Sequence, residues 1–324
     1  MLSVTFLGTS AARPTVERNV SATAVVREGE TLLFECGEGT QRQMMRYGVS
    51  FALADILVTH FHTDHFLGII GLLRTLGLQG REEPMRLYGP KGARRILEQA
   101  LALGVERAPF EVQIAELTVG DRIERKGYDI VAFATEHGRF SIGYALIEHE
   151  RLGRFDPEKA RALGIPEGPL WGKIHRGEAV EYEVRRDDGS PDRRIATPEE
   201  LVGPPRPGRK LVYTGDTRPC KSVVDAAEGA DLLIHEATFG NEEKDRAVET
   251  EHSTALEAAQ VALAARVRQL ALNHLSARYS ADANTLLEEA RTAFAETVVA
   301  RDGMVIDVAF RDAAEDAAAG GSRR

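Results

Sequence analysis

The stretch Val58-Thr59-His60-Phe61-His62-Thr63-Asp64-His65-Phe66-Leu67-Gly68 constrains this chain more than any other. It places three histidines and one aspartate within six positions, at a junction between two kinds of secondary structure. Asp55-Ile56-Leu57-Val58-Thr59 is a short apolar run bounded by a turn, the pattern of a buried strand. His60 and His62 are two apart, so in extended chain they point to one side. Asp64 and His65 then open a helix carrying Leu67, Ile69, Ile70, Leu72 and Leu73, where a carboxylate can cap free backbone N–H groups. Whatever the fold, a strand must end and a helix begin around four clustered polar side chains.

Those four residues offer two imidazoles in one place and a carboxylate plus an imidazole beside it. Two such half-sites suit a pair of Zn²⁺ ions, which take imidazole and carboxylate ligands at about 2.0–2.2 Å. A lone histidine would read as an ordinary core residue, and a lone Asp64 as a helix cap. This spacing after an apolar strand reads as metal ligation.

Two metals need further ligands, and three positions share the same context at the end of an apolar strand. His137 follows the run ending Ala134-Thr135-Glu136, His274 follows Ala271-Leu272-Asn273, and Asp216 ends Tyr213-Thr214-Gly215 at a tight turn. The expected grouping is His60, His62 and His137 for one ion, Asp64, His65 and His274 for the other, and Asp216 between them. Paired ions about 3.5–4 Å apart supply the charge and the lowered water pKa that phosphodiester displacement needs.

The rest of the chain sets bounds. Its 324 residues allow one large domain or two, and 43% hydrophobic with 28% charged residues is ordinary for a globular protein. The start, Met1-Leu2-Ser3-Val4-Thr5, lacks a basic segment and a long apolar run, so neither signal peptide nor membrane span is expected. Cys36 and Cys220 make no disulfide framework, which suits the cytoplasm. A net charge of −9 argues against a nucleic-acid coat, although phosphate contacts need only a local positive patch.

Along the chain, strands are expected at 1–7, 21–26, 31–35, 85–88, 110–117, 122–133 and 144–148, with helices after Gly39 and Gly92. From about Arg151 to Lys210 the character changes to Gly, Pro and charge with little apolar periodicity. That segment reads either as a linker or as a polyanion grip, with Lys173 and Arg176 beside Trp171, the only tryptophan. Strands at 210–214, 231–235, 269–273, 297–300 and 304–310 and helices at 253–266 and 281–295 follow. A disordered tail is expected over 311–324.

With these residues in place, the HxHxDH pattern at His60, His62, Asp64 and His65 resembles the metallo-β-lactamase superfamily. Thr5-Phe6-Leu7-Gly8-Thr9-Ser10, Gly37-Glu38-Gly39-Thr40-Gln41, Tyr213-Thr214-Gly215-Asp216-Thr217-Arg218, His235-Glu236-Ala237-Thr238-Phe239 and His274-Leu275-Ser276-Ala277-Arg278-Tyr279 are narrower and resemble ribonuclease Z. The resemblance covers nearly the whole chain except the tail. It implies an α/β chain with the αββα sandwich of that superfamily, where alternation of strands and helices alone would suggest a doubly wound sheet. It implies a single catalytic domain over 1–310 with a flexible arm inserted at about 151–209. It also implies a zinc-dependent endoribonuclease that trims the 3′ end of precursor tRNA after the discriminator base, leaving a 3′-hydroxyl on the tRNA and a 5′-phosphate on the trailer. Two Zn²⁺ per subunit, or Mn²⁺ or Fe²⁺, a homodimer, and no nucleotide cofactor or membrane partner complete that expectation.

Carried over residue by residue, Asp64 is both ligand and proton acceptor, and His252 assists proton transfer at the scissile phosphate. His235 and Thr238 support the site. Gly168 and Pro169 belong to the projecting arm that holds the tRNA elbow, and Arg278 contacts a phosphate or forms a surface ion pair. Glu35 departs from the family, which usually has aspartate there supporting the histidine cluster; the longer side chain alters that support, and activity is expected to survive. Two alternatives stand beside this reading. One is a hydrolase of the same fold acting on a small ester, lactone or cyclic nucleotide, which would leave the arm nothing to hold. The other is a non-catalytic RNA-binding protein with structural metals, against which seven ligands argue, since a structural zinc site closes with four.

Overall fold

Consecutive side chains along the strands are apolar on both faces, and that decides the layering. On β4 (Leu53–Leu57), Ile56 and the following Val58 join one buried cluster while Leu57 joins another. Leu33 parts from Leu32 and Phe34 in the same way, Val212 from Leu211 and Tyr213, and Leu233 from Leu232 and Ile234. With a side-chain period of two, a strand buried on both faces must lie between two apolar layers.

The computed structural model describes residues 1–311 except Glu106, Asp187 and Asp188, so the tail expected from 311 lies, from residue 312 on, outside the described residues. The first sheet comprises β1 (Leu2–Gly8), β2 (Ala22–Arg27), β3 (Glu30–Phe34), β4, β5 (Met85–Pro90) and β6 (Val112–Leu117). The second uses β7 (Arg122–Arg125), β8 (Tyr128–Ala134) and β9 (Ile142–Glu148); β10 (Val180–Arg185) and β11 (Pro191–Ala196) form a separate hairpin. The second sheet continues with β12 (Lys210–Tyr213), β13 (Leu232–Glu236), β14 (Leu270–Asn273) and β15 (Thr297–Val299), and β16 (Val305–Asp307) returns to the first. The orders are β16-β1-β2-β3-β4-β5-β6 and β15-β14-β13-β12-β9-β8-β7. β3 to β6 run parallel, as do β12 to β15.

Between the sheets lies a core that includes Phe6, Phe34, Tyr144 and Tyr213, with the Phe34 ring 5.9 Å from Tyr144 and 5.5 Å from Tyr213. Helices Thr40–Tyr47, Gly68–Leu78 and Ala93–Leu101 cover the first sheet through Met44, Ile69, Leu72 and Leu97. Helices Lys221–Ala227, Ala255–Ala264 and Asn284–Ala293 cover the second through Val223, Ala258, Val261 and Leu286. The result is the four-layer αββα sandwich expected from the resemblance.

Two elements differ from the sequence reading. The single strand expected at 122–133 is the hairpin β7–β8, turning at Lys126-Gly127. The helix after His62 is divided into Thr63–Phe66 and Gly68–Leu78. Gly68 donates its N–H to the Cys36 carbonyl at 2.8 Å, and a Cβ there would overlap the Gly37 carbonyl. Only glycine lets the two segments pass this closely.

The chain divides into two compact units, with Glu148–Gly208 separate from the two-sheet body. This segment is neither structureless nor helical throughout. The short helices Pro157–Ala162, Pro169–His175 and Pro198–Leu201 and the β10–β11 hairpin close over Ala160, Ile165, Ile174, Val180, Tyr182 and Leu201. Trp171 packs beside Phe155 at 5.3 Å and donates its indole N–H to the Ile165 carbonyl at 3.2 Å. Its apolar residues escape a periodicity search because they serve turns and a short hairpin.

Candidate active site

The polar cluster forms where strands end. β3 delivers Glu35, β4 delivers Thr59, His60 and His62, and the turn of helix Thr63–Phe66 adds Asp64 and His65. His137 follows β8, Asp216 follows β12, Glu236 closes β13, Thr238 lies just beyond it, and His274 follows β14. Ligand sites in such sheets lie outside the carboxyl ends of the parallel strands. All of these residues belong to the two-sheet body.

Seven side chains converge there. Nε2 of His60 stands 3.0 Å from Nδ1 of His62, which is 3.2 Å from Nε2 of His137. Asp216 Oδ2 lies 3.6 Å from His60 and 3.8 Å from His137. On the other side, Asp64 Oδ2 is 3.4 Å from Nε2 of both His65 and His274, while Asp216 reaches His65 at 3.4 Å and His274 at 3.3 Å. His60, His62, His137 and Asp216 are thus one group able to hold a metal ion and Asp64, His65 and His274 another, the donor atoms of each lying within 4.8 Å of one another. His65 Nε2 and Asp216 Oδ1 are buried without a hydrogen-bond partner. A buried nitrogen or oxygen left so is costly unless another partner, such as a cation, takes its lone pair. Imidazole and carboxylate donors aimed inward fit a cation of the zinc, manganese or iron type.

Around this cluster a set of hydrogen bonds fixes orientation. Glu35, held at φ +60° and fully buried, accepts from Thr59 N at 3.1 Å and from the Thr59 hydroxyl, and lies 3.4 Å from His65 Nδ1. Burial pushes its carboxyl up, against the pull of His65. The longer glutamate therefore comes within ion-pair distance of the histidine without a hydrogen bond to its Nδ1. Thr59 Oγ1 is in turn 3.0 Å from His60 Nδ1. Gly215, at φ +63°, keeps this region open, because a Cβ would collide with the Thr59 side chain. Asp64 is not the helix cap that its position suggests. The cap is His62 with no side-chain bond, and the Asp64 carboxylate accepts the Ala12 N–H at 2.8 Å.

His252 sits beside both groups, its ring 4.8 Å from His137 and 5.4 Å from His274. Its Nδ1 is 2.8 Å from Glu236, whose carboxylate also accepts from Thr217 N, Thr238 N and the Thr238 hydroxyl at 3.0, 3.1 and 2.8 Å. Thr238 Oγ1 lies 3.0 Å from His274 Nδ1. Burial works against a charge on His252, but the Glu236 carboxylate outweighs it and raises the imidazole to about 9. The Glu236 contact thus favours the protonated form of His252.

The structure does not bring His235 to the cluster. It is fully buried, with Nδ1 donating to the Glu236 carbonyl at 2.7 Å, and burial lowers its pKa. Glu236, which residue types alone did not single out, takes that place. Alternation along β13 would have found it, since Ile234 faces the inter-sheet core and Leu233 the helices, so Glu236 shares the side of Ile234. Arg278 pairs with Glu243 and lies 5.9 Å over the Phe239 ring. Gly168, Pro169, Lys173 and Arg176 belong to the separate 148–208 unit, where Gly168 precedes helix Pro169–His175 at φ +131° and Arg176 lies 3.8 Å from Glu178.

Comparison with known proteins narrows the family. Residues 2–151 match the family model described as Anti-Pycsar protein Apyc1. A ribonuclease Z from Gemmatimonas aurantiaca is 57% identical over 317 residues, covering 97% of this chain and 98% of the relative. Human tRNase Z, short form, superposes with a TM-score of 0.67 at 28% identity, covering 95% of this chain and all of that one. The metallo-β-lactamase fold protein YhfI of Bacillus subtilis superposes with a TM-score of 0.65 at 19% identity, covering 94% and 98%, a likeness of fold alone. Identity of this extent over almost the whole length, on this fold, shows that the chain belongs to the ribonuclease Z family, endoribonucleases of the metallo-β-lactamase fold.

Proposed function

We propose that this chain removes the 3′ trailer from precursor tRNA, cutting after the discriminator base and leaving a 3′-hydroxyl on the tRNA and a 5′-phosphate on the trailer. The observation that carries this reading is the convergence of the imidazoles of His60, His62, His137, His65 and His274 and the carboxylate of Asp64 around Asp216, beside the His252–Glu236 pair. His60, His62 and His137 would hold one Zn²⁺ and Asp64, His65 and His274 a second, with Asp216 shared. When bound, such a pair lowers the pKa of water and offsets charge on phosphate oxygens.

The chain's own side chains do the rest. Asp64, anchored by the Ala12 N–H, takes the proton of the attacking water. His252, whose protonated form Glu236 favours, gives a proton to the ribose 3′-oxygen as the P–O3′ bond breaks. Glu35 and Thr238 orient His65 and His274.

Residues 1–310 would act as one catalytic domain with a tRNA-binding arm at about 151–209, as a homodimer in the cytoplasm, and no helix among the described residues is long and apolar enough to cross a membrane. Gly168 and Pro169 shape the arm's helix start, and Lys173, Arg176, Arg185, Arg186, Arg193 and Arg194 are exposed cations on it. Neutralising these cations should weaken tRNA binding and its salt dependence while sparing bis-p-nitrophenyl phosphate. Equal loss of both would remove the arm from the account.

A second reading, hydrolysis of a small phosphodiester, is favoured by one observation. The 148–208 segment carries eleven Lys and Arg against thirteen Asp and Glu, so it is not basic overall. Mapping the cut on a 3′-extended precursor tRNA decides between them. A single cut beside the discriminator base, lost with a chelator and in Asp64→Ala, supports tRNA processing. No cut, with metal-dependent turnover of the small ester, supports the second reading.

A further inference from the structure

His252 has no regular element of its own. It stands in the turn before helix Ala255–Ala264, next to Glu251 at φ +58°, a conformation that side chains other than glycine adopt at a cost. Something must hold that turn, and the structure shows what does. The Arg218 guanidinium donates to the His252 carbonyl through Nη1 and grips Glu257 with both nitrogens, Nη1 to Oε2 at 2.8 Å and Nη2 to Oε1 at 2.7 Å. Glu257 Oε2 also accepts the Thr254 N–H at 3.0 Å, and the Glu257 N–H returns to the Thr254 hydroxyl at 3.2 Å. Carboxylate, guanidinium and turn therefore form one closed set of bonds. The Arg218 backbone N–H meanwhile donates to the Glu136 carbonyl at 2.9 Å, next to His137. Glu251 completes the link, since its carbonyl lies 2.9 Å from His137 Nδ1 and its carboxylate accepts the Gly138 N–H.

We infer that Arg218, locked by Glu257, is the residue that positions His252 for proton transfer to the leaving oxygen. The inference rests on the reading of His252 given above. Both terminal nitrogens of Arg218 are committed to Glu257 and the His252 carbonyl, so it acts through His252 rather than on substrate. A planar guanidinium forked onto a carboxylate fixes direction as well as distance, which an ammonium in its place does not.

The distinguishing property is the leaving group. A ribose 3′-oxygen is a poor leaving group and needs a proton, whereas p-nitrophenolate departs without one. Steady-state kinetics of R218Q, H252A and the double variant on a 3′-extended precursor tRNA and on bis-p-nitrophenyl phosphate, with metal content measured on each, test the point. H252A is expected to lose about a hundredfold in kcat on the precursor and far less on the ester. R218Q is expected to lose roughly 10- to 30-fold on the precursor with KM within about twofold, and under about threefold on the ester. In the H252A background R218Q should cost almost nothing more, because residues acting as a unit are not additive. Full additivity, or equal losses on both substrates with metal content intact, would overturn the inference. Should R218Q fail to fold, E257Q releases the same fork and must show the same selectivity and the same lack of additivity, or the inference fails. Wild-type protein that does not cut the precursor, or H252A that loses both activities equally, overturns the underlying reading and the inference with it.

Discussion

Polar side chains in the two-sheet body and in the 148–208 unit obey opposite rules. In the body, Asp216, His60, His65, His137 and His274 are almost wholly buried, face one another, and leave His65 Nε2 and Asp216 Oδ1 without hydrogen-bond partners. In the 148–208 unit most charges lie on the surface, and ion pairs form between residues close in sequence or across the hairpin. Arg186 and Arg194 both meet Asp192, Arg193 faces Glu183, and Arg161 meets Glu167. Buried donors that fail to satisfy one another demand an outside partner. Exposed pairs satisfy one another and contribute little. The contrast locates chemistry in the body and leaves the other unit the task of a surface.

The largest effect should come from breaking the point where the two ligand groups meet. Asp216→Ala is expected to cost at least about a thousandfold in turnover of any phosphodiester, with loss of bound metal measured by elemental analysis. Next is His252→Ala, with its loss confined to substrates with poor leaving groups.

These predictions concern residues of unequal legibility. His60, His62, Asp64 and His65 announce themselves by spacing, and His137, Asp216 and His274 by standing at the ends of apolar strands. Glu236 stands at a strand end too, but His235 beside it is the commoner ligand type, and only the side of β13 on which each lies tells them apart. Arg218 and Glu257 come together only through folding, across 39 residues, and no local pattern pairs them. Most long strands were legible because they are continuous apolar runs. The hairpin at Lys126-Gly127, the break at Gly68 and the small core around Tyr182 were not, since each depends on a close approach or a turn that leaves little trace in periodicity.

A middle-sized effect should appear in stability against pH. Burial works to raise the Glu257 carboxyl, but the Arg218 and Thr254 contacts outweigh it and hold it below its ordinary 4.5. A depressed folded-state pKa contributes stability that is complete above the unfolded value and lost as pH falls through the folded one. E257Q should therefore lower the melting temperature at pH 7 and flatten its fall below pH 4.5; an unchanged acid limb would separate Glu257 from the turn at His252.

The smallest effect belongs to the 148–208 unit. Arg193→Ala breaks a 3.6 Å pair whose Arg193 side chain is 82% exposed, and the melting temperature should move by less than about 2 °C. A larger shift would mean that the surface pairs of this unit are structural and would blunt the contrast with the body.

The central claim, that the strand ends of the body hold two metal ions around Asp216, is tested most directly by anomalous diffraction from crystals grown with Zn²⁺. The account predicts two peaks about 3.5–4 Å apart, one ringed by His60, His62 and His137 and the other by Asp64, His65 and His274, with Asp216 touching both. A single peak, or full occupancy with Asp216 touching neither ion, would contradict it.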